Sequence, residues 1–90
     1  MIDEALLKKV IALFSTMTEV PTAEITADSE LIDDLDISSM DVLFLISSLE
    51  EEFHISVSEK EIRKMVTVGD VVQVIQELKN KLERNNKNPQ

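Results

Sequence analysis

Two adjacent serines, Ser38 and Ser39, are candidate nucleophiles in this 90-residue chain, and its single histidine, His54, is the only candidate histidine base. A serine becomes a nucleophile when a general base lies within hydrogen-bond reach of its hydroxyl. His54 follows Ser39 by fifteen residues, which corresponds to about four turns of a helix. The only possible base is therefore too far along the chain for a catalytic triad, and His54 is more typical of a helix terminus.

The acidic segment around Asp34 and Asp36 raises the question of a metal site. Asp34-Leu35-Asp36-Ile37-Ser38 repeats the ligand spacing that opens an EF-hand calcium loop. The pattern then fails, because Ser39 stands where that loop requires glycine and Leu45 where it requires a bidentate glutamate. The absence of cysteine excludes a thiolate metal site, a disulfide and a cysteine nucleophile. We therefore predict neither an enzyme nor a dedicated metal site.

A serine at the start of a helix is the remaining feature. Serine before an apolar, helically periodic run is a common N-cap, where its side chain accepts hydrogen bonds from the first backbone N–H groups. Ser38, with Asp41 three residues later, fits a capping box. Because two serines are adjacent, one can cap the helix while the other presents its hydroxyl to solvent.

Helices are predicted on both sides of a long loop. Apolar residues recur at helical spacing between Asp3 and Met17, which predicts an amphipathic first helix. The second helix is predicted to begin at Ser38 or Ser39 and to end near Phe53. The twenty residues between them, 18–37, lack periodicity but contain scattered aliphatic side chains. Loops of this length are uncommon in compact domains, so we expect this one to be pinned to the core and functional.

The second half of the chain predicts two further helices. A capping-box pattern at Ser58 opens a short helix that ends near Met65, and another at Thr67 opens a last helix with apolar residues as far as Leu82. A single glycine and two prolines also favour helices over a turn-rich β fold. We predict an all-α four-helix bundle, with three long helices, one short one and a long first loop. Residues 1–84 would form one domain and residues 85–90 a flexible polar tail.

Charge is distributed unevenly along the chain. Eighteen acids against nine bases give a net charge of −9, and no Lys or Arg lies between Lys9 and Lys60, a stretch with twelve acids. Such a surface repels nucleic-acid phosphates and anionic membranes and attracts basic partners. We therefore expect no nucleic acid or membrane binding. A docking surface for basic proteins is favoured over solubility alone.

The N-terminal sequence indicates where in the cell the protein is expected. Acids stand at Asp3 and Glu4, where a signal peptide has a basic stretch, and no apolar run approaches membrane-spanning length. We therefore expect a cytoplasmic protein, and we expect it to be a monomer.

The segment from Leu31 to Asp41, followed by Leu49-Glu50-Glu51-Glu52-Phe53, resembles the acyl carrier proteins. In that family an acidic-Leu-Gly-x-Asp-Ser-Leu-Asp segment precedes a helix that ends Leu-Glu-Glu-Glu-Phe. The similarity continues through Ile55, residues 58–62 and residues 66–70, and it covers roughly residues 3–82.

This resemblance implies a carrier protein and not an enzyme. The family's modified serine falls on Ser39, to which a phosphopantetheinyl transferase would attach 4′-phosphopantetheine from coenzyme A. The thiol of that arm would carry acyl groups as thioesters between enzymes of fatty acid, polyketide or related biosynthesis. Two alternatives stay open: a peptidyl- or D-alanyl-type carrier, and an unmodified acidic helical interaction module.

The resemblance also implies a docking face for partner enzymes. These would be acyl-transferring, condensing or modifying enzymes with basic docking patches. The face would lie on the second helix and include Met40, Asp41, Phe44, Glu50 and Glu51.

The chain departs from the family pattern at four positions of this region, the first being Met40, which follows Ser39 where the family usually has Leu. Ser38 replaces the Asp that usually precedes the modified serine, and Asp36 replaces the loop Gly. Phe44 stands where the family often has an acid. If Phe44 is exposed, it is an apolar anchor and indicates partners other than the housekeeping enzymes of fatty acid synthesis; if it is buried, it belongs to the core.

Overall fold

The computed structural model describes residues 2–87 of the chain. Within these residues lie four α-helices: α1 (Glu4–Thr18), α2 (Ser39–Phe53), α3 (Glu59–Arg63) and α4 (Val68–Lys87). A short 3₁₀ turn, which the sequence did not predict, occupies Thr22–Glu24 in the loop between α1 and α2. The arrangement confirms the predicted all-α bundle of three long helices, one short helix and a long first loop.

Each helix begins where a side chain caps its first backbone N–H groups. The Asp3 carboxylate accepts hydrogen bonds from Ala5 and Leu6 at the start of α1. At α3 and α4 the predicted capping boxes form, because serine or threonine and an acid three residues later accept hydrogen bonds from each other's backbone N–H. A cap of this kind contributes about 1 kcal/mol. The helix boundaries are therefore encoded locally.

The first two helices end on residues in the left-handed backbone region. Glu19 has φ 65° and donates its N–H to Ser15, and His54 has φ 56° and donates its N–H to Glu50. Glycine is the usual residue at such a position because it carries no Cβ penalty. His54 is the C-cap of α2 and is exposed, so the prediction that it is a helix-terminus residue is confirmed.

The core lies between the long helices and beneath the first loop. Of the stripe predicted on α1, Leu6, Val10 and Phe14 are buried, whereas Leu13 and Met17 are half-buried. Helix α2 buries Leu45, Ile46 and Leu49, and α4 buries Val68, Val71, Val72, Val74 and Ile75. Four aliphatic side chains of the loop join this core: Ile25, Leu31, Leu35 and Ile37. The prediction that the loop is pinned to the core is confirmed.

Backbone hydrogen bonds join the loop to the start of α4. An isolated antiparallel bridge pairs Glu30 with Thr67. Three bonds flank it: Leu31 N–H to Val66 O (3.0 Å), Val68 N–H to Ser29 O (2.9 Å) and Gly69 N–H to Ala27 O (2.8 Å). We call this pairing of residues 27–31 with residues 66–69 the loop ladder. It satisfies polar backbone groups that would otherwise be buried without partners.

Helix α4 is 20 residues long and continues to Lys87. Residues 85–87 of the predicted tail are therefore helical, and residues 88–90 lie outside the described residues. The division into a domain and a tail stays a prediction. Among the helices that the structure describes, none combines the length and apolar character needed to cross a membrane.

Gly69 should be intolerant of a side chain. A Cβ at this position would lie 3.0 Å from the carbonyl oxygen of Ala27, and that oxygen is held by the Gly69 N–H at 2.8 Å. Overpacking costs about 1–3 kcal/mol, which outweighs the helix-propensity gain of at most about 1 kcal/mol. We therefore expect Gly69→Ala to lower the free energy of unfolding, as measured by urea denaturation. Gln73→Ala, at an exposed position of the same helix, is the matched control; a Gly69→Ala variant as stable as that control would contradict the prediction.

Candidate functional site

Ser38 is the N-cap of α2. Its backbone is extended (φ −81°, ψ 168°), and its hydroxyl accepts a hydrogen bond from the Asp41 N–H at 3.2 Å. In return the Asp41 carboxylate accepts the Ser38 N–H at 3.2 Å. Both halves of the predicted capping box are therefore present, and the capping role falls to the first of the two serines.

Ser39 is the first residue of α2, and its side chain is exposed. Within residues 2–87 its hydroxyl has no hydrogen-bond partner. The two adjacent serines thus differ in role: Ser38 is committed to the helix start, and Ser39 presents a free hydroxyl to solvent beside it.

The residues just before the serines form a tight turn that sets the direction of entry into α2. The Asp34 carboxylate accepts the Glu30 N–H at 2.8 Å, and the Ile37 N–H donates to the Leu31 carbonyl at 3.0 Å. Asp36, between them, is exposed and has φ 56°, in the left-handed region. Asp tolerates this conformation better than most residues, although an L-residue there costs about 1–2 kcal/mol. The glycine that the resemblance expects at this position would avoid that cost.

Negative charge is concentrated on this turn. The pKa of Glu30 is raised by a hydrogen bond to the Asp33 side chain and by the negative charge of Asp33, with a smaller effect from the charge of Asp34. These acids lie close enough together to interact. However, among the residues that the structure describes, no group of three or more His, Asp or Glu side chains is arranged to hold a metal ion.

The outer face of α2 is apolar near Ser39. Met40, Leu43 and Phe44 leave 77%, 63% and 69% of their surface exposed. Phe44 is therefore not a core residue, which answers the question that the sequence left open. Leu43 was missed by the sequence analysis, although its position three residues after Met40 places it on the same helix face. We call these three residues the apolar face of α2.

The three acids predicted for the docking face have different surroundings. Asp41 is exposed but belongs to the capping box. Glu50 is half-buried, and its carboxylate accepts the Val57 N–H at 2.9 Å. Glu51 is exposed and has no hydrogen bond or ion pair within the described part of the chain. Only Glu51 among the three is a carboxylate without a structural task.

Two open depressions flank α2. One, of about 580 Å³, lies between α1 and α2 and is lined by Leu13, Phe53 and Glu51 among others. The other, of about 230 Å³, lies beside the start of α2 and is lined mainly by Ile32, Val42, Met65 and Val66, with the acids Glu30 and Asp33 at its edge. The smaller, apolar one adjoins the turn that leads to Ser39.

Ser39 and His54 lie at opposite ends of α2. Fifteen residues of α-helix span about 22 Å, so His54 cannot act as a base for the Ser39 hydroxyl. Within the described residues, the Ser39 hydroxyl therefore has no histidine base beside it.

Comparisons with known proteins agree with this geometry. Residues 8–75 match the sequence model of the family described as a phosphopantetheine attachment site. The acyl carrier protein of Helicobacter pylori (strain J99) is 37% identical over 75 residues, covering 83% of this chain and 96% of that protein. That of Helicobacter acinonychis (strain Sheeba) matches with the same identity and coverage. A solved structure of the acyl carrier protein from Enterococcus faecalis superposes with a TM-score of 0.73 at 29% identity, covering 87% of this chain and 99% of that chain.

The chain therefore belongs to the acyl carrier protein family. It is a carrier protein and not an enzyme, and its domain is the kind to which phosphopantetheine is attached. The all-helical fold with a long first loop is the fold of that family. The resemblance seen in the sequence is confirmed.

The start of α2 fits the phosphodiester end of phosphopantetheine. Within the described residues, the backbone N–H groups of Ser39 and Met40 donate to no protein acceptor. These free donors lie at the positive end of the helix dipole, where a phosphate group is favourable. The exposed Ser39 hydroxyl stands at the same place, so a phosphate on it would meet donors without disturbing the Ser38 cap.

The shifted pKa values predict how stability depends on pH. Because the pKa of Glu30 is raised above its usual 4.5, its protonated form favours folding. That contribution is complete below pH 4.5 and is lost as the pH rises through the folded-state pKa. Glu30→Gln, which mimics the protonated form, should therefore raise the melting temperature at pH 7 and have no effect well below pH 4.5.

Two variants control this comparison. Glu24→Gln removes the same charge from the neighbouring 3₁₀ turn. An equal gain in melting temperature for Glu24→Gln would mean that the Glu30 effect arises from the lower net negative charge and not from the neighbours of Glu30. Glu61→Gln should act in the opposite direction, because hydrogen bonds from the Ser58 side chain and backbone lower the pKa of Glu61. Its contribution is present above pH 4.5 and is lost as the pH falls through the folded-state pKa.

Proposed function

We propose that Ser39 carries 4′-phosphopantetheine and that the protein delivers acyl groups to separate enzymes of fatty acid, polyketide or related biosynthesis. The observation that carries this proposal is the free, exposed Ser39 hydroxyl at a helix start that Ser38 already caps. Membership of a family whose domain is a phosphopantetheine attachment site supports it.

The chain's own residues present the hydroxyl and leave its activation to a partner. Ser38 and Asp41 hold the first turn of α2, and the turn at Asp34–Ile37 fixes how the chain enters it. No histidine lies near Ser39, because the only one is at the far end of α2. A phosphopantetheinyl transferase must therefore deprotonate the hydroxyl.

When attached, the group supplies the thiol on which acyl cargo is held as a thioester. This chain contains no cysteine, so it provides no competing thiol of its own. The apolar depression of about 230 Å³ beside the start of α2 favours a hydrocarbon cargo over an amino acid. The similarity to proteins named acyl carrier proteins also favours an acyl cargo.

We further propose that partner enzymes dock on the apolar face of α2. An exposed aromatic side chain beside aliphatic neighbours is typical of an interface anchor. Glu51, one turn beyond Ser47 on the same side of the helix, would steer basic groups of the partner toward it. Such a face suits partners whose docking site combines an apolar hollow with a basic rim.

Replacing each serine separately tests the attachment site. We expect wild-type protein co-expressed with a broad-specificity phosphopantetheinyl transferase to gain the mass of one phosphopantetheine, and Ser39→Ala to gain none. Ser38→Ala should still be modified, because only the cap is removed, at a cost of about 1 kcal/mol in stability. Intact-mass spectrometry of the three proteins is the measurement.

The alternative hypotheses predict different masses for these three proteins. Modification that persists in Ser39→Ala but disappears in Ser38→Ala would assign the arm to Ser38. A wild-type protein that no transferase modifies would favour an unmodified interaction module. Circular dichroism of each variant establishes that it is folded at the temperature of the reaction.

Phe44 should matter for partners and not for stability. Because it is 69% exposed, Phe44→Ala should change the free energy of unfolding by no more than about 0.5 kcal/mol. Phe14→Ala, at a fully buried position, should lower it by about 3–5 kcal/mol. Phe44→Glu restores an acid common in the family and should raise kcat/KM with a bacterial acyl-transferring enzyme of fatty acid synthesis by about tenfold at low salt.

Ser47→Glu is the matched control for added charge, since Ser47 is an exposed residue one turn further along the same face. An equal increase in kcat/KM for Ser47→Glu would mean that any added acid suffices and that Phe44 does not select partners. If Phe44→Ala lowers the free energy of unfolding by several kcal/mol, Phe44 is a core residue.

A further inference from the structure

The bases of this chain are concentrated in its second half. Apart from Lys8 and Lys9, every Lys and Arg lies at or after Lys60, whereas the stretch between Lys9 and Lys60 carries twelve acids. Lys60 and Arg63 lie in α3, and Lys64 is its C-cap. The short third helix therefore places positive charge on the surface of a protein whose net charge is −9.

These three bases lie on one exposed side of α3. Residues three and four positions apart are neighbours on a helix surface, and this is the spacing of Lys60, Arg63 and Lys64. All three side chains are exposed. Arg63 pairs with Glu59 at 3.7 Å, whereas neither lysine forms an ion pair within the described residues. We call these three bases the basic face of α3.

Helix α4 adds a fourth positive charge close to this face. The pKa of Glu61 is lowered mainly by hydrogen bonds from Ser58. The positive charges of Lys81 and Lys64 lower the same pKa to a smaller extent, so Lys81 of α4 lies near α3. The Glu61 carboxylate is held by the Ser58 N–H at 2.9 Å and by the Ser58 hydroxyl at 2.7 Å. The capping box therefore engages the acid that lies nearest to these bases.

Stabilisation of α3 accounts for little of this charge. Bases in the last turn of a helix gain from the helix dipole, but that dipole is a sum over aligned peptide groups, and α3 has only five residues. The Arg63–Glu59 pair is exposed on both sides, and such pairs contribute little to stability. The basic face is therefore free to interact with another molecule.

The basic face adjoins the depression beside the start of α2. Met65 and Val66, which directly follow Lys64, line that depression of about 230 Å³. On the loop side, its edge carries the acids Glu30 and Asp33. A molecule that covers the depression therefore meets negative charge on the loop and positive charge at α3.

This arrangement of charge defines the partner that fits. Complementary charges across an interface fix its orientation, and like charges exclude wrong partners. A partner surface that is basic throughout would be repelled at α3. A partner that is acidic throughout would be repelled by the net charge of −9. The favoured partner therefore carries carboxylates opposite α3 and bases elsewhere.

We propose that the basic face of α3 is a docking surface for a carboxylate-rich segment of a partner protein whose remaining contact surface is basic. With charge of both signs, only one orientation of that partner over the depression is favourable. That the partner also receives the arm from Ser39 rests on the proposed function. The binding of carboxylates to α3 does not.

Two synthetic peptides test the surface on the unmodified protein. One peptide contains four lysines, four glycines and four glutamates in that order, and the other has four glutamines in place of the glutamates. In NMR titrations at low salt, the glutamate peptide should bind about threefold to tenfold more tightly and should shift the amide signals of residues 60–66. If α3 bound no carboxylates, the net charge would make the glutamate peptide the weaker ligand. Weaker or equal binding of that peptide would overturn the proposal.

A pair of double variants separates the basic face from net charge. Lys60→Gln with Lys64→Gln keeps the Arg63–Glu59 pair and should abolish the advantage of the glutamate peptide. Lys8→Gln with Lys9→Gln removes the same charge from exposed positions of α1 and should retain it. Loss of the advantage in both double variants would overturn the proposal. So would an α3 variant with a lowered melting temperature and an intact advantage, because the lysines would then serve stability alone.

Two other occupants of the basic face give different results. Vesicles of phosphatidylglycerol that shift the signals of residues 60–66, without any advantage of the glutamate peptide, would assign the face to a membrane surface. Shifts of these signals that depend on protein concentration without peptide would assign it to a second copy of this chain. Either result would overturn the proposal. Attachment at Ser39 is read separately by intact mass, so failure of one hypothesis is distinguishable from failure of the other.

Discussion

The pairing of residues 27–31 with residues 66–69 is the constraint on which the rest of this structure depends. The loop before α2 has little regular structure, yet it must deliver Ser38 and Ser39 to one place with one orientation. The ladder fixes its middle against the start of α4, and its buried aliphatic side chains hold it to the core. Gly69 makes this possible, because a Cβ there would push the loop away.

Six acidic side chains of the described residues accept hydrogen bonds from backbone N–H groups. They lie at each helix start (Asp3, Asp41, Glu61 and Asp70), within the first loop (Asp34) and near the end of α2 (Glu50). The net charge of −9 therefore overstates how many acids are free to attract partners. An ion pair in the described residues, Glu59–Arg63, is exposed on both sides, and such pairs contribute little.

The features that the sequence could predict are those that depend on residues close together in the chain. Helical periodicity and capping boxes act over three or four residues, so the helices, the Ser38 cap and the terminal position of His54 were predictable. The loop ladder was not predictable, because it joins backbone groups almost forty residues apart in the sequence and no side-chain pattern indicates the pairing. The role of Glu50 escaped for the same reason, since its partner is a backbone N–H. The exposure of Phe44 depends on how α2 is rotated against its neighbours, which tertiary packing decides.

The loop ladder also affects the order in which the parts of this protein can fold during synthesis. A ribosome makes the chain from the N-terminus, so residues 27–31 and the two serines are synthesised before residues 66–69 exist. Until that later segment is available, the loop lacks the backbone partners that hold it, and α1 and α2 lack the helix that completes their core. Closing a connection of this length slows folding relative to purely local contacts. A modifying enzyme that recognises the finished start of α2 must therefore act after almost the whole chain has been made.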